Sequence, residues 1–119
     1  MKKTISATFV LALMLLLVTV NLAAQERIRF KRGASSATVS GQIGVNRGVA
    51  GANYRSYVVR ANAGQTISAT VSSRNGKVAF AENDQTSYTI QTDSARDYEL
   101  HIYNGGENNT SYTLTISIQ

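Results

Sequence analysis

Apolar and hydroxyl-bearing residues alternate along most of the chain after residue 24, and this period of two constrains the fold more than any other feature. Residues 36–43 and 66–73 show it most clearly, with Ala, Val and Ile alternating with Ser and Thr. Successive side chains of a β-strand point to opposite faces of its sheet. Each segment therefore has one face to bury and one to expose, which predicts strands.

Turn-forming residues divide the alternating pattern into about eight strands. The strongest turn signal is Asn75-Gly76, a typical hairpin connection between two strands. The predicted strands are residues 26–32, 36–43, 54–61, 66–73, 78–80, 87–92, 98–103 and 110–118. With no helix expected after residue 24, this spacing predicts an all-β fold, a single antiparallel β-sandwich of jelly-roll type. A closed barrel is the alternative.

The apolar face of these strands predicts one core. Its members are expected to be Ile28, Phe30, Val39, Ile67, Val71, Val78, Phe80, Ile90, Leu100, Ile102, Leu114 and Ile116. Residues 44–53 interrupt the pattern with three Gly and two Asn, so they form a long irregular loop. Loops of this length are either functional or only mobile, and both interpretations stay open here.

Residues 1–24 have the features of a cleaved secretory signal peptide. Lys2 and Lys3 precede an apolar run, and Ala23-Ala24 supply the small residues of a cleavage site. The run is shorter than the roughly 20 residues that span a bilayer. We therefore expect an exported bacterial protein, periplasmic or secreted, with no membrane segment after cleavage and with residues 25–119 as its one domain.

The composition of residues 25–119 excludes several classes of function. Ten basic residues against seven acidic ones give a net charge of +3, which is too mild for a nucleic-acid-binding surface. The chain has no Cys and one His, His101, so a zinc site lacks its usual ligands. No residue is placed to activate a nucleophile. The sequence therefore predicts a protein that is not an enzyme and that has no metal or cofactor.

Several short motifs resemble the periplasmic inhibitors of g-type lysozyme. The most specific is Ser35-Ser36-Ala37 followed by Ser40-Gly41 and Ile43, and the likeness extends to Phe30, Gly33, Tyr57, Ala61, Gly64-Gln65, residues 97–100 and residues 112–118. The resemblance implies a β-sandwich that binds a lysozyme and blocks its substrate cleft with loops. It also implies hydrogen-bond donors to a catalytic carboxylate, namely a Tyr just after the Ser-Gly-x-Ile run and Arg residues in the loop before the last strand.

This sequence departs from that pattern at both places. No Tyr follows Ile43 until Tyr54, and residues 104–109 contain no Arg. We expect Arg47, Tyr54 and Arg55 to act instead, together with Ser40, because they lie in or beside the loop that follows the family-like run. The alternative is an exported binding or accessory module, similar to pre-peptidase C-terminal domains, whose partner is another cell-envelope protein or a glycan.

Overall fold

The computed structural model describes residues 25–119, and all of its regular elements are β-strands. The predicted signal peptide, residues 1–24, lies outside the described residues. The strands are β1 (Gln25–Arg27), β2 (Ser36–Ile43), β3 (Tyr54–Ala61), β4 (Thr66–Ser73), β5 (Val78–Phe80), β6 (Ser87–Gln91), β7 (Arg96–Asn104) and β8 (Thr110–Ile118). No helix able to cross a membrane occurs in this part of the chain.

The strands form two four-stranded sheets. The first sheet has the order β1-β3-β7-β5, and the second has the order β2-β8-β4-β6. All pairs are antiparallel except β1 with β3, which is parallel. Consecutive strands β2 and β3 lie in different sheets, so the connection between them, residues 44–53, crosses from one sheet to the other at one end of the molecule. The predicted all-β sandwich is confirmed.

The core lies between the two sheets and follows the period of two. Nine of the twelve predicted core residues are buried, and the other three, Phe30, Val39 and Ile90, are half-buried and pack against the buried cluster. Tyr57, Tyr98 and Tyr112 are also buried. Burying an aliphatic side chain stabilises the fold by about 1.5–3 kcal/mol relative to leaving it exposed, so this cluster is the main source of stability in a domain without disulfides.

The predicted first strand, residues 26–32, is wrong in extent and pairing. The strand ends at Arg27, and it pairs in parallel with β3 rather than in an antiparallel manner. After Ile28 the chain leaves the first sheet, turns at Gly33 in a left-handed conformation (φ 79°), and enters the second sheet at Ser36. Ile28 is buried and Phe30 half-buried along this crossing. Buried and exposed side chains thus continue to alternate after the strand has ended, and this alternation gives residues 28–32 a strand-like sequence pattern.

Candidate functional site

Three loops meet at one end of the sandwich and form the surface that we call the loop end. It consists of residues 44–53, residues 74–77 and residues 105–109, which follow β2, β4 and β7. Backbone hydrogen bonds connect them: Gly105 donates to the carbonyl of Lys77 (2.9 Å), and Asn104 donates to the carbonyl of Asn53 (2.9 Å). The loops are therefore held against one another and not only by their own strands.

The side chain of Asn104 is the centre of this arrangement. Its Nδ2 donates to the carbonyls of Gly44 (3.0 Å) and Asn108 (2.9 Å). Its Oδ1 accepts from the backbone of Gly106 (2.9 Å) and from Nδ2 of Asn75 (3.2 Å). An amide side chain has two donors and two acceptor lone pairs, so Asn104 uses its full capacity while being only 2% exposed. One residue thus fixes all three loops.

Gly106 packs closely against the same network. A Cβ at this position would lie 2.7 Å from Nδ2 of Asn75 and 3.2 Å from Oδ1 of Asn104. A residue with a side chain would therefore force both Asn side chains to shift, so Gly suits this close approach of the backbone to Asn104.

Arg47 connects the longest of these loops to the loop before the last strand. Its Nη2 donates to the carbonyl of Glu107 (2.8 Å), and the residue is exposed. The prediction from sequence placed Arg47 in a flexible loop. In the structure this hydrogen bond gives its guanidinium a defined position at the surface.

Exposed hydrophobic side chains mark the loop end. Among residues 25–119, the large hydrophobics that are exposed are Val49 (65%) and Tyr54 (43%). Val49 lies in the loop of residues 44–53, and Tyr54 begins β3 directly after it. The ring of Tyr54 stacks on Tyr103, with centroids 6.2 Å apart. The hydroxyl of Tyr103 donates to Oδ1 of Asp84 (2.9 Å), and this bond raises the pKa of Tyr103 above its ordinary value.

Arg55 fastens the two sheets together beside the loop end. Its Nη2 donates to the carbonyl of Gln42 in β2 (2.9 Å), and its Nη1 donates to the carbonyl of Tyr54 (2.7 Å). Tyr54, Arg55 and Ser40 all line one cleft of about 490 Å³ between β2 and β3. The structure therefore brings three of the four predicted site residues together, and Arg47 lies apart from them, against residues 108–109.

Two buried Tyr side chains at the floor of this cleft account for the Gly of the Ser40-Gly41 motif. The buried hydroxyls of Tyr57 and Tyr112 are hydrogen-bonded to each other across the two sheets. Burial, followed by this bond, raises the pKa of the Tyr57 phenol far above its ordinary value. Gly41 lies opposite Tyr112 in the β2–β8 pair, and a Cβ there would lie 2.9 Å from the Tyr112 hydroxyl. Gly41 is thus the residue that gives the Tyr112 ring its space.

His101 has a local partner. Its Nδ1 lies 2.7 Å from Oε2 of Glu82, and its backbone amide donates to the same carboxylate. Within residues 25–119, no three His, Asp or Glu side chains cluster as they would around a metal ion. The side chains exposed at and beside the loop end are the guanidinium of Arg47, the phenol of Tyr54 and the aliphatic group of Val49.

Two features of the loop end were missed by sequence reasoning. Val49 is one apolar residue in a Gly-rich loop, and no periodicity marks it. The predicted seventh strand ends at residue 103 and leaves Asn104 outside it, whereas Asn104 is the last residue of β7 and is buried. The only signal was its position directly before Gly105-Gly106, because close backbone approach often demands Gly beside a buried polar side chain.

No protein-family model matches this sequence, and no curated protein does either. Solved structures do match. The chain has the fold of the PliG inhibitors of g-type lysozyme. Aeromonas hydrophila PliG, described as a periplasmic lysozyme inhibitor of g-type lysozyme, has a TM-score of 0.59 and 19% identity, over 81% of this chain and 96% of that one.

Two further inhibitor structures agree. A mutant of the Escherichia coli PliG has a TM-score of 0.57 and 20% identity, over 80% of this chain and 97% of its own. Salmonella Typhimurium PliG has a TM-score of 0.54 and 21% identity, with the same coverages. The resemblance inferred from the sequence motifs is thus confirmed at the level of the fold. These similar proteins are described as lysozyme inhibitors.

Proposed function

We propose that this protein is an exported inhibitor of lysozyme, of the g-type in the first instance, and that its loop end enters the glycosidase cleft. The observation that carries the proposal is the exposure of Val49 and Tyr54, the two large hydrophobics left uncovered in the described part of the chain, at one surface. Tyr and Arg are the residue types that most often anchor protein interfaces. Arg47 belongs to the loop end, and Tyr54 lies directly beside it at the start of β3.

The charge of the loop end is complementary to such a target. Arg47, Arg74 and Lys77 lie in two of its three loops, and the third loop contributes its one acidic residue, Glu107. Glycosidases generally carry a pair of carboxyl groups at the cleavage site. A guanidinium or phenol that reaches a carboxylate in a dry cleft makes a charge-assisted hydrogen bond. Basic groups around the contact also increase the rate of association with an acidic cleft.

Rigidity of the loops supports the proposal as well. Three Gly in residues 44–53 would make binding costly if the loop had to be ordered at that moment. The bonds from Asn104 to Gly44 and from Arg47 to Glu107 hold both ends of the contact surface before any partner arrives. Preorganisation of this kind improves affinity by lowering the entropy lost on binding.

The predicted site residues take different roles in this proposal. Arg47 and Tyr54 contact the lysozyme directly, and Val49 adds an apolar contact at the tip of the loop. Arg55 contacts the partner at the mouth of the cleft that it shares with Ser40, and it also holds β3 of the first sheet against β2 of the second through its bond to the carbonyl of Gln42.

The test is inhibition of g-type, c-type and i-type lysozymes by the purified protein and its variants. Arg47→Ala or Tyr54→Ala is expected to weaken inhibition by about 30-fold or more, because truncating a buried partner of a charged group costs about 2–5 kcal/mol. Val49→Ser is expected to cost about tenfold, from lost apolar burial. Arg55→Ala should weaken inhibition and also lower the melting temperature.

Arg60→Ala is the matched control, because Arg60 is an exposed Arg at the opposite end of the same strand. Its inhibition constant should stay within about twofold of the wild-type value. A wild-type protein that inhibits no class of lysozyme would refute the proposed function and favour a binding module for a glycan or another envelope protein. Inhibition that survives all four substitutions would keep the function and reject this surface. The intact mass of the exported protein tests the export step, with residue 25 as its expected first residue.

A further inference from the structure

The free edge of β2 has none of the features that usually protect an edge strand. β2 is the outermost strand of the second sheet and is eight residues long. Exposed edges normally carry Lys, Pro or a bulge, or are very short, because their unpaired backbone groups otherwise recruit another strand. β2 reads Ser-Ala-Thr-Val-Ser-Gly-Gln-Ile, with no charge and no Pro. By contrast, the edge strands of the first sheet, β1 and β5, have three residues each.

The register shows which backbone groups of β2 are free. Ile118 donates its backbone N–H to the carbonyl of Ser35 (2.8 Å), so the residues of odd number in β2 bond to β8. The residues of even number point their N–H and C=O groups away from the sheet. The carbonyl of Gln42 is already taken by Arg55. Both backbone groups are therefore free at Ser36, Thr38 and Ser40, with Thr38 at their centre, whereas Gln42 keeps only its N–H free.

The sequence of this free segment is self-complementary about the same centre. A two-fold axis at Thr38 places Ser36 opposite Ser40 and Ala37 opposite Val39. No charged groups meet, and each pair combines residues of the same type. Ala37 and Val39 point inward but stay only half-buried at the edge. A second β2 strand would cover them with its own Val39 and Ala37.

The side chains on the outer face of the second sheet also allow the sheet to continue into a second copy across such an axis. Every outward-facing residue of β2 and β8 is uncharged: Ser36, Thr38, Ser40, Gln42, Ser111, Thr113, Thr115 and Ser117. Ser40 and Thr113 already form a cross-strand pair of hydroxyls (3.4 Å). Two copies could therefore lie edge to edge without repulsion between like charges on this face.

We propose that a second copy of this chain pairs with β2, antiparallel and centred on Thr38, to form a continuous eight-stranded sheet. The backbone pairs are Thr38 with Thr38, and Ser36 with Ser40 in both directions. The contact involves one strand from each copy, so its area lies below that of a standard stable interface. We expect a weak dimer, with about half of the chains paired at roughly 0.1–1 mM.

Analytical ultracentrifugation of the exported protein tests this without any lysozyme. The wild type should show a concentration-dependent dimer, and Thr38→Lys should raise its dissociation constant about tenfold or more, because two Lys side chains then face each other at the axis. Thr70→Lys is the control, since Thr70 is an exposed Thr of the same face on the interior strand β4. It should leave the dimer unchanged.

Cross-linking tests the position of the axis. The chain has no Cys, so Thr38→Cys places a single thiol beside its own symmetry mate, whose Cα would lie about 5.5 Å away in a hydrogen-bonded pair. A short bis-maleimide should convert this variant to a covalent dimer several-fold faster than Thr70→Cys. A wild type that stays monomeric at 1 mM, a dimer that Thr38→Lys does not weaken, or equal cross-linking of both Cys variants would overturn the proposal.

Discussion

Asn104→Asp replaces the residue that fixes the loop end with one of nearly identical shape. The variant keeps two acceptors for Gly106 and Asn75 but loses both donors, so the carbonyls of Gly44 and Asn108 face a buried carboxylate. An unsatisfied buried polar group costs about 1–3 kcal/mol. The unpaired carbonyl of Gly44 and the buried charge beside it give a loss of about 3–5 kcal/mol, to which the carbonyl of Asn108, an exposed residue, adds little. A domain of this size has roughly 5–14 kcal/mol in total.

Thermal and urea denaturation at pH 7 measure this loss. With about 4–8 °C for each kcal/mol in a domain of 60–100 residues, the melting temperature should fall by roughly 12–40 °C. The introduced carboxyl is expected to have a raised pKa in the folded state, because burial disfavours its charged form. The folded state then binds more protons than the unfolded state, so the loss should shrink as the pH is lowered towards 4.

Asn109→Asp is the matched control for this prediction. Asn109 is exposed and lies in the loop of residues 105–109 that follows Asn104, so the substitution introduces the same charge nearby and should cost less than about 0.5 kcal/mol. Equal stability of the Asn104→Asp and Asn109→Asp variants, or a loss that grows at low pH, would refute the role assigned to Asn104.

Two further predictions concern packing and pH. Gly41→Ala should destabilise the domain by about 1–3 kcal/mol in urea denaturation, because its Cβ displaces the Tyr112 hydroxyl from Tyr57; a stability equal to wild type contradicts this. The bidentate bond from Arg27, at 2.7 and 3.0 Å, lowers the pKa of Asp97 in the folded protein. The stability that this ion pair contributes is therefore fully present above the unfolded pKa of Asp, about 4. It is lost as the pH falls through the lower pKa of Asp97 in the folded state. Hydrogen exchange of β1 amides should show local opening over that acidic range, and an unchanged β1 opening in Asp97→Asn at neutral pH would contradict it.

The positions of the strands were predictable because each strand buries the side chains of one face, and this burial produces the alternating sequence pattern. β2, β3, β4 and β8 have the bounds that alternation predicts, since both sheets have one apolar and one polar face. β1 failed because Ile28 and Phe30 alternate in burial while the chain crosses between sheets without pairing. Periodicity reports burial, and it does not report the hydrogen-bonding partner.

The candidate site was less predictable, because it depends on contacts between residues far apart in the sequence. Arg55 and Tyr54 are predicted as site residues from their residue type and from their place beside a Gly-rich loop. That Arg55 holds the carbonyl of Gln42, or that Asn104 holds Gly44, depends on which loops meet at one end of the sandwich. These contacts between distant loops follow from the strand topology, and the sequence does not show which loops will contact each other.

Under the proposed function, Arg47 takes the place of an Arg that the inhibitor pattern has and that this sequence lacks. The resemblance implies an Arg in the loop before the last strand, and residues 104–109 have none. Arg47 comes from a different loop, yet its guanidinium is hydrogen-bonded to the backbone of Glu107 within that segment. A carboxylate in a cleft responds to the position of a charge and not to the chain segment that supplies it. The missing Arg is therefore weaker evidence against inhibition than the sequence alone indicates.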